Sequence, residues 1–357
     1  MSTTTDASSD DVIRAEDTDA MTQPSGPAAP RRGPGLGLDG SRQSLAGDAQ
    51  GRMANRIFGG TAVGSGLLVV VLVTLIGVFL LAQAIPAIAA DHDNFLFSRA
   101  WTTAQPMHFG VLQLLWTTVL SSVVALVFAI PLAIGIALFL TQYAPPWLAR
   151  PAAILVDLLA AVPSIVYGLW GASAVVHYWQ PIQSVLQNSL GRFLGIFAEA
   201  NGITTGSTIF LVGLVLAIMV LPIITALARE VFAQTPAMHK EAALALGATK
   251  WEMIRTTVLP FGRAGVISAS MLGLGRALGE TIAVMMILSA LPDGTKWSWS
   301  LFNGGETFAS KIASDAAEFT GGLSTGAYIA AGLVLFVLTF IVNAIARVII
   351  ERQGAKA

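Results

Sequence analysis

Cysteine is absent from the 357 residues. Disulfides and thiol chemistry are therefore excluded, although the compartment stays open. Charge is scarce as well. Only 11% of residues are charged, against about 25% in a soluble globular domain. The net charge of −1 gives no basic excess, so nucleic acid is not an expected partner. Four histidines, His92, His108, His177 and His239, stand far apart without metal-ligand spacing. No GxxxxGK[ST] phosphate loop occurs, so this chain is not expected to hydrolyse ATP alone. It is expected to perform no covalent chemistry, and to hold no metal or cofactor of its own.

What is abundant is apolar length. Hydrophobic residues make up 54% of the chain and the mean hydropathy is +0.70. Six apolar runs are long enough to cross about 30 Å of hydrocarbon. They fall near 62–86, 113–141, 152–176, 207–228, 264–290 and 326–350. The pattern predicts an all-α integral membrane protein with six transmembrane helices, in contact with lipid. Residues 1–55 are rich in Ser, Thr, Asp, Pro and Gly, and read as a disordered cytoplasmic tail preceding a permease domain over 56–357. They are not a signal peptide, because the first apolar run starts too late and runs too long.

Lys and Arg set the expected orientation. With the N-terminus inside, the inner segments hold Arg52, Arg56, Arg150, Arg229, Lys240, Lys250, Arg255, Arg263, Arg347, Arg352 and Lys356. The outer loops hold only Arg99, Arg192, Lys296 and Lys311. Both termini are therefore expected in the cytoplasm. Two outer loops are long, 177–206 and 291–325. The first includes PIQSVLQNSLGRFLGIF, which suits an amphipathic helix at the interface. Pro163, with Ser164 beside it to satisfy a freed carbonyl, suggests a kink in the third span. Asp157, at the inner end of that span, reads as a solvated boundary residue.

The inner segment between the fourth and fifth spans is REVFAQTPAMHKEAALALGATKWEMIRTTVLP. Thr235 before Pro236 predicts a helix N-cap with proline at the first helical position. Gly247 interrupts that helix. Thr249 and Glu252 have the spacing of a capping box opening a second one. Met238, Leu246, Trp251, Met253 and Ile254 are apolar anchors of the kind that fills a partner's groove.

Deep in the fifth run stands GRALGE, Gly275–Glu280. An ionised side chain at mid-bilayer costs roughly 2.5–3.5 kcal/mol on insertion scales. Arg276 and Glu280 are therefore expected to face the bundle interior or a wet cavity. On a continuous helix they share a face and can pair. Gly275 and Gly279 form GxxxG, which admits a close helix neighbour. The pair reads either as part of a transport path or as a structural lock between helices.

The segment EAALALGATKWEMIRTTVLP resembles the EAA motif of ABC-importer permeases, E-A-A-x3-G-x9-I-x-L-P. Glu241, Ala242, Ala243, Gly247, Leu259 and Pro260 match, while Thr257 departs at the isoleucine position. DLLAAVPSIVYGLWG and MLGLGRALGETIAV further resemble the third and fifth spans of PstC-type permeases of bacterial phosphate ABC transporters. The resemblance covers about residues 113–352 and implies a type I ABC-importer permease fold. It implies that 229–260 is the coupling segment to a separate ATPase, which alone binds ATP and Mg. It implies a PstA-type permease partner, two copies of a PstB-type ATPase and a PstS-type extracytoplasmic phosphate-binding protein. Inorganic phosphate is the implied cargo, with Arg276 and Glu280 on its path. Remaining alternatives are another oxyanion such as sulfate, molybdate or tungstate, the PstA-type sibling, a secondary transporter, or a membrane sensor.

Overall fold

The computed structural model describes residues 40–354 except 92, 103–107, 204, 293 and 320, with side chains described outside 40–52, 318 and 349–354. By its contacts the chain divides into residues 1–68 and 69–357. The described part of the first unit is the leading portion of α1 (Gly40–Ala89), whose Met53, Ile57, Phe58, Val63 and Leu67 are exposed. Residues 1–39 of the expected tail lie outside the described residues. Residues 40–55 fall within α1. They hold three Ala, two Gln and two Arg and continue directly into a long helix, and extending a helix costs far less than nucleating one.

The second unit is built on α2 (Leu112–Leu138) packed against α6 (Ile209–Ala233). Of the most apolar stretch of α6, 72% is buried, against 17% for α12 (Gly322–Gly354), so α6 is the central stave and α12 a peripheral one. Glycine sets the approach of α2 and α6. A Cβ on Gly213 would stand 2.5 Å from Val124 Cγ1 and 3.1 Å from the Ser121 carbonyl oxygen. The hydroxyls of Thr118, Ser121 and Ser122 are buried on the same helix. Each donates to the carbonyl four residues back, at 2.7–2.8 Å. Such back-bonding lets polar residues sit in a bundle without an orphaned donor.

Among the described residues, five helices are long and apolar enough to span a membrane, or six when one bent pair counts as a single span. That pair is the expected third span. α3 (Pro146–Ala160) meets the α4–α5 arm (Ser164–Trp170, a π turn at Gly171–Val175, then Val176–Ser189) at 87°. The kink expected at Pro163 is thus a full break, because proline and the two residues before it leave the helix together. The Ser164 hydroxyl makes no hydrogen bond among the described residues. Tyr167 does the expected work instead, donating from its hydroxyl to the Leu159 carbonyl at 3.1 Å across the bend. Beyond it, Gly168 lies so close to α10 (Ile282–Ile287) that a Cβ would be 2.8 Å from Ala283 Cα.

The expected fifth span, 264–290, is also not one helix. α9 (Leu259–Leu278) stops at Gly279, and α10 starts after Thr281. The loop 177–206 contains the expected amphipathic helix as α5, which ends at Ser189 rather than continuing through LGRFLGIF. The loop 291–325 folds into α11 (Phe308–Ser314). Its start is docked by a bond from Phe308 N to Thr118 Oγ1, 3.2 Å. Lys311 on α11 bridges Glu306 at 3.1 Å and Asp315 at 2.9 Å. Burial works against that charge, but Asp315 and Glu306 outweigh it and push the Lys311 pKa up. A raised lysine pKa contributes stability that is complete below the ordinary value of about 10.4 and is lost as pH rises through the raised one. The latch therefore holds at neutral pH.

A contrast between glycines tests this packing. Gly213→Leu should lower the unfolding temperature of the detergent-purified chain, because overpacking a tight crossing costs about 1–3 kcal/mol. Gly275 has nothing within 4 Å of its Cβ position, so Gly275→Leu should leave the isolated chain's unfolding temperature unchanged. Scanning fluorimetry on the two variants decides it. Equal losses would remove the distinction.

Candidate functional site

Two regions carry the residues singled out above. The first joins α6 to α9. After Ala233 the chain turns through Gln234 and Thr235, then forms α7 (Ala237–Ala245) and α8 (Lys250–Met253). The expected Thr235 cap does not form. Pro236 occupies the N-cap position with ψ 134°, and the Thr235 hydroxyl is buried without a partner. Proline's fixed φ places the extended residue one position later, which carries Thr235 out of reach of the first helical amides.

Gly247 ends α7 with φ +86°. Its N–H donates to the Leu244 carbonyl at 3.0 Å, and the Ala248 N–H donates to that of Ala243 at 3.2 Å. Positive φ is the reason for glycine here. The capping box opens α8 as its spacing predicts: Thr249 N donates to Glu252 Oε2 at 2.8 Å, and Glu252 N donates back to Thr249 Oγ1 at 3.3 Å. A π turn, Ile254–Val258, then feeds α9. Thr257, the departure from the EAA pattern, is half-buried within that turn.

The expected apolar anchors divide. Met253 and Ile254 are buried with Phe232, Val258 and Ala137, and Ala243 and Leu259 pack against that cluster. Met238 at 78%, Leu246 at 90% and Trp251 at 56% exposure face outward, beside exposed Glu241 and Ala242. Exposed Pro260 follows Leu259 at the start of α9. One side of the segment thus anchors it to the bundle while the other offers three large apolar side chains. Grouped exposed apolar residues mark an interaction surface.

Two polar contacts fix its base. Asp157 on α3, read as a boundary residue, accepts from Arg229 Nη2 on α6 at 3.3 Å and 3.2 Å through its two carboxylate oxygens. Lys250 Nζ lies 4.7 Å from the centroid of the Tyr143 ring, at the end of α2. The Lys and Arg bias in the sequence placed Arg229 and Lys250 only on the inner side of the chain. It did not reveal their partners.

The second region is the end of α9. A Cβ on Gly273 would meet Ile224 Cδ1 at 2.8 Å and Val220 Cβ at 3.8 Å. These residues are midway along α6, so Arg276, one turn on, sits at mid-depth. Its side chain is exposed and lines an open cavity of about 660 Å³, with Ile223, Ser268, Met271, Leu272, Gly275 and Asn343. Among the described residues it makes no hydrogen bond or ion pair. Tyr167 lies within its electrostatic reach.

Glu280 is elsewhere. It is buried at 8% exposure, and its Oε1 accepts the Ala283 amide at 3.2 Å. The expected Arg276–Glu280 pair is therefore not formed. The four-residue spacing assumed a continuous helix, and the break at Gly279 turns the carboxylate toward the start of α10, where it satisfies an amide that α10 leaves free. Gly275 and Gly279 do not admit a helix of this chain. Gly275 faces open space and Gly279 meets only the Gly275 carbonyl, at 3.6 Å. Asn343 and Ser268 were not foreseen beside Arg276. They lie on other turns and another helix, which no local motif connects.

Residues 129–354 match the family described as binding-protein-dependent transport system inner membrane component. The phosphate transport system permease protein PstC 2 of Mycobacterium tuberculosis is 55% identical over 302 residues, 84% of this chain and 92% of that one. The PstC permease protein of Haemophilus influenzae is 40% identical over 291 residues, 80% of this chain and 90% of its own length. A solved chain of the MetNI methionine ABC transporter, in an inward-facing form, has 16% identity and a TM-score of 0.49, covering 70% of this chain and 99% of that chain.

Proposed function

Because this chain belongs to the binding-protein-dependent transport inner membrane component family, we propose that it is the membrane permease subunit of an ATP-driven importer of inorganic phosphate. Its relatives at 55% and 40% identity are named phosphate transport permeases. The observation that carries the reading is the unpaired Arg276 at mid-depth, open to a cavity. A guanidinium without a carboxylate is costly among apolar helices, and it matches a tetrahedral oxyanion through two parallel N–H donors.

In this proposal the segment around Gly247 faces the cytoplasm, and Met238, Leu246 and Trp251 fill a groove on one of two ATPase copies. ATP and Mg belong to those subunits. A second, homologous permease covers the open face at Gly275 and Gly279 and completes the path. A soluble phosphate-binding protein delivers the anion at the far side. Glu280 holds the break between α9 and α10 and so sets where Arg276 points. It reaches the anion only if a later state releases it from Ala283.

The test is reconstitution in proteoliposomes with PstA-, PstB- and PstS-type partners. Labelled phosphate should accumulate only with ATP inside, and excess sulfate, molybdate or tungstate should compete poorly. Accumulation that persists without the ATPase would replace this reading with a secondary transporter. Effective competition by sulfate would change the cargo.

A further inference from the structure

At the end of the bundle opposite α7 lies a second cavity, of about 520 Å³. Its walls include Arg99 and Trp101, Gln113, Thr295 and Lys296, and Lys311, residues far apart in sequence. Its end of the bundle is defined by α6: the Ile209 and Phe210 amides, at the start of that helix, donate to the Asn303 and Leu301 carbonyls, both at 2.9 Å. The loops expected outside hold four Lys and Arg residues, and three of them, Arg99, Lys296 and Lys311, line this one cavity.

The three cations are not equivalent. Lys311 is closed between Glu306 and Asp315. Arg99 spends one donor, Nη1, on the Thr295 carbonyl at 3.3 Å, and lies 5.8 Å from the centroid of the Trp297 ring. Among the described residues the rest of its fork makes no hydrogen bond. Lys296 Nζ makes no hydrogen bond or ion pair among the described residues. Its backbone is nonetheless held, because Asn201 Nδ2 donates to the Lys296 carbonyl at 3.1 Å and to Asn303 Oδ1 at 3.0 Å. Two cations without carboxylates are thus placed on one concave wall by backbone bonds from distant elements. Among the described residues that line the cavity, three cations face one carboxylate, Glu306, so these side chains sum to a net positive charge. The recess is of small-ligand size.

We infer that this pocket is an outer station for one tetrahedral oxyanion, held between Arg99 and Lys296 before it moves to Arg276; this rests on the phosphate-import reading above. A recessed positive cavity concentrates anions at its mouth. Its two cations are exposed to water, which keeps binding weak and release fast. Trp297, under the Arg99 guanidinium, is a built-in reporter.

The experiment uses the assembled transporter in nanodiscs, without the binding protein, titrated with inorganic phosphate at constant ionic strength. Tryptophan emission should change saturably with phosphate. The change should vanish in Trp297→Phe, which removes the reporter. It should weaken at least tenfold in Arg99→Gln/Lys296→Gln, recover partly in Arg99→Lys/Lys296→Arg, and persist in Arg276→Gln. An equal response to sulfate supports an oxyanion station that does not select. A response undiminished in the Gln pair, or none in the unmutated transporter, overturns the inference. So does a Gln pair that weakens binding-protein docking alone, since the pocket then recognises a protein surface. In each of those cases ATP-driven phosphate uptake by the unmutated complex leaves the import reading standing.

Discussion

Arg276→Gln should abolish ATP-driven phosphate uptake in proteoliposomes while the complex still assembles. The arginine lines an open cavity at mid-depth and makes no hydrogen bond or ion pair among the described residues, so its removal leaves no carboxylate among them unpaired. The fold therefore loses little. The path loses a bidentate, charge-assisted contact, and each 1.4 kcal/mol of that contact is about a factor of ten. A drop in uptake of about a hundredfold or more is expected. Arg276→Lys should retain a fraction of the activity, since an ammonium offers the charge without the fork. Reversing the residues as Arg276→Glu with Glu280→Arg should not restore transport. A reciprocal ion pair would tolerate that exchange, but Glu280 caps Ala283 at 3.2 Å, and an arginine there has no carboxylate to offer. Wild-type uptake by either Arg276→Gln or the reversed protein would remove Arg276 from the path.

Glu280→Gln separates the two residues further. A glutamine keeps an acceptor for the Ala283 amide, so the break and the fold should survive. Uptake should fall by less than in Arg276→Gln. Equal losses measured side by side would return Glu280 to direct contact with the anion.

The parts of this site that were legible from sequence are those set by local chemistry. Thr249 and Glu252 announce their capping box because both partners lie within one turn. Gly247 announces the end of its helix because glycine is a poor helix former. Pro163 announces a kink because it has no amide to donate, although not a full break. The rest depends on neighbours that a single sequence does not place. Gly168, Gly213 and Gly273 make the tight crossings, while Gly275 and Gly279, in the better-known GxxxG spacing, face open space within this chain. Nothing local distinguishes the two sets. The break at Gly279–Thr281 is hidden for a related reason. The apolar run continues through it, and the feature that stabilises it is the Glu280 carboxylate, which reads equally well as half of an ion pair. Tyr167 passes for a packing residue until the bend brings Leu159 back to its hydroxyl.

Gly247→Pro should uncouple ATP hydrolysis from uptake. Gly247 stands at φ +86° with nothing within 4 Å of its Cβ position, so substitution there acts through the backbone alone. Proline fixes φ near −65° and deletes the amide that bonds to Leu244 at 3.0 Å. The turn between α7 and α8 must then be rebuilt, and Leu246 and Trp251, exposed on either side of it, can no longer present one surface. Uptake should fall to background, while ATP hydrolysis by the assembled complex loses its stimulation by phosphate-loaded binding protein. Gly247→Asn should keep most of both activities, because asparagine tolerates the left-handed region. Gly247→Val should fall between them, at a strain of about 1–3 kcal/mol. That ranking, Asn above Val above Pro, follows from backbone conformation and is not the order of side-chain size. A ranking by size, or a proline variant that still couples, would show that the positive φ of Gly247 is not what transmits the stroke.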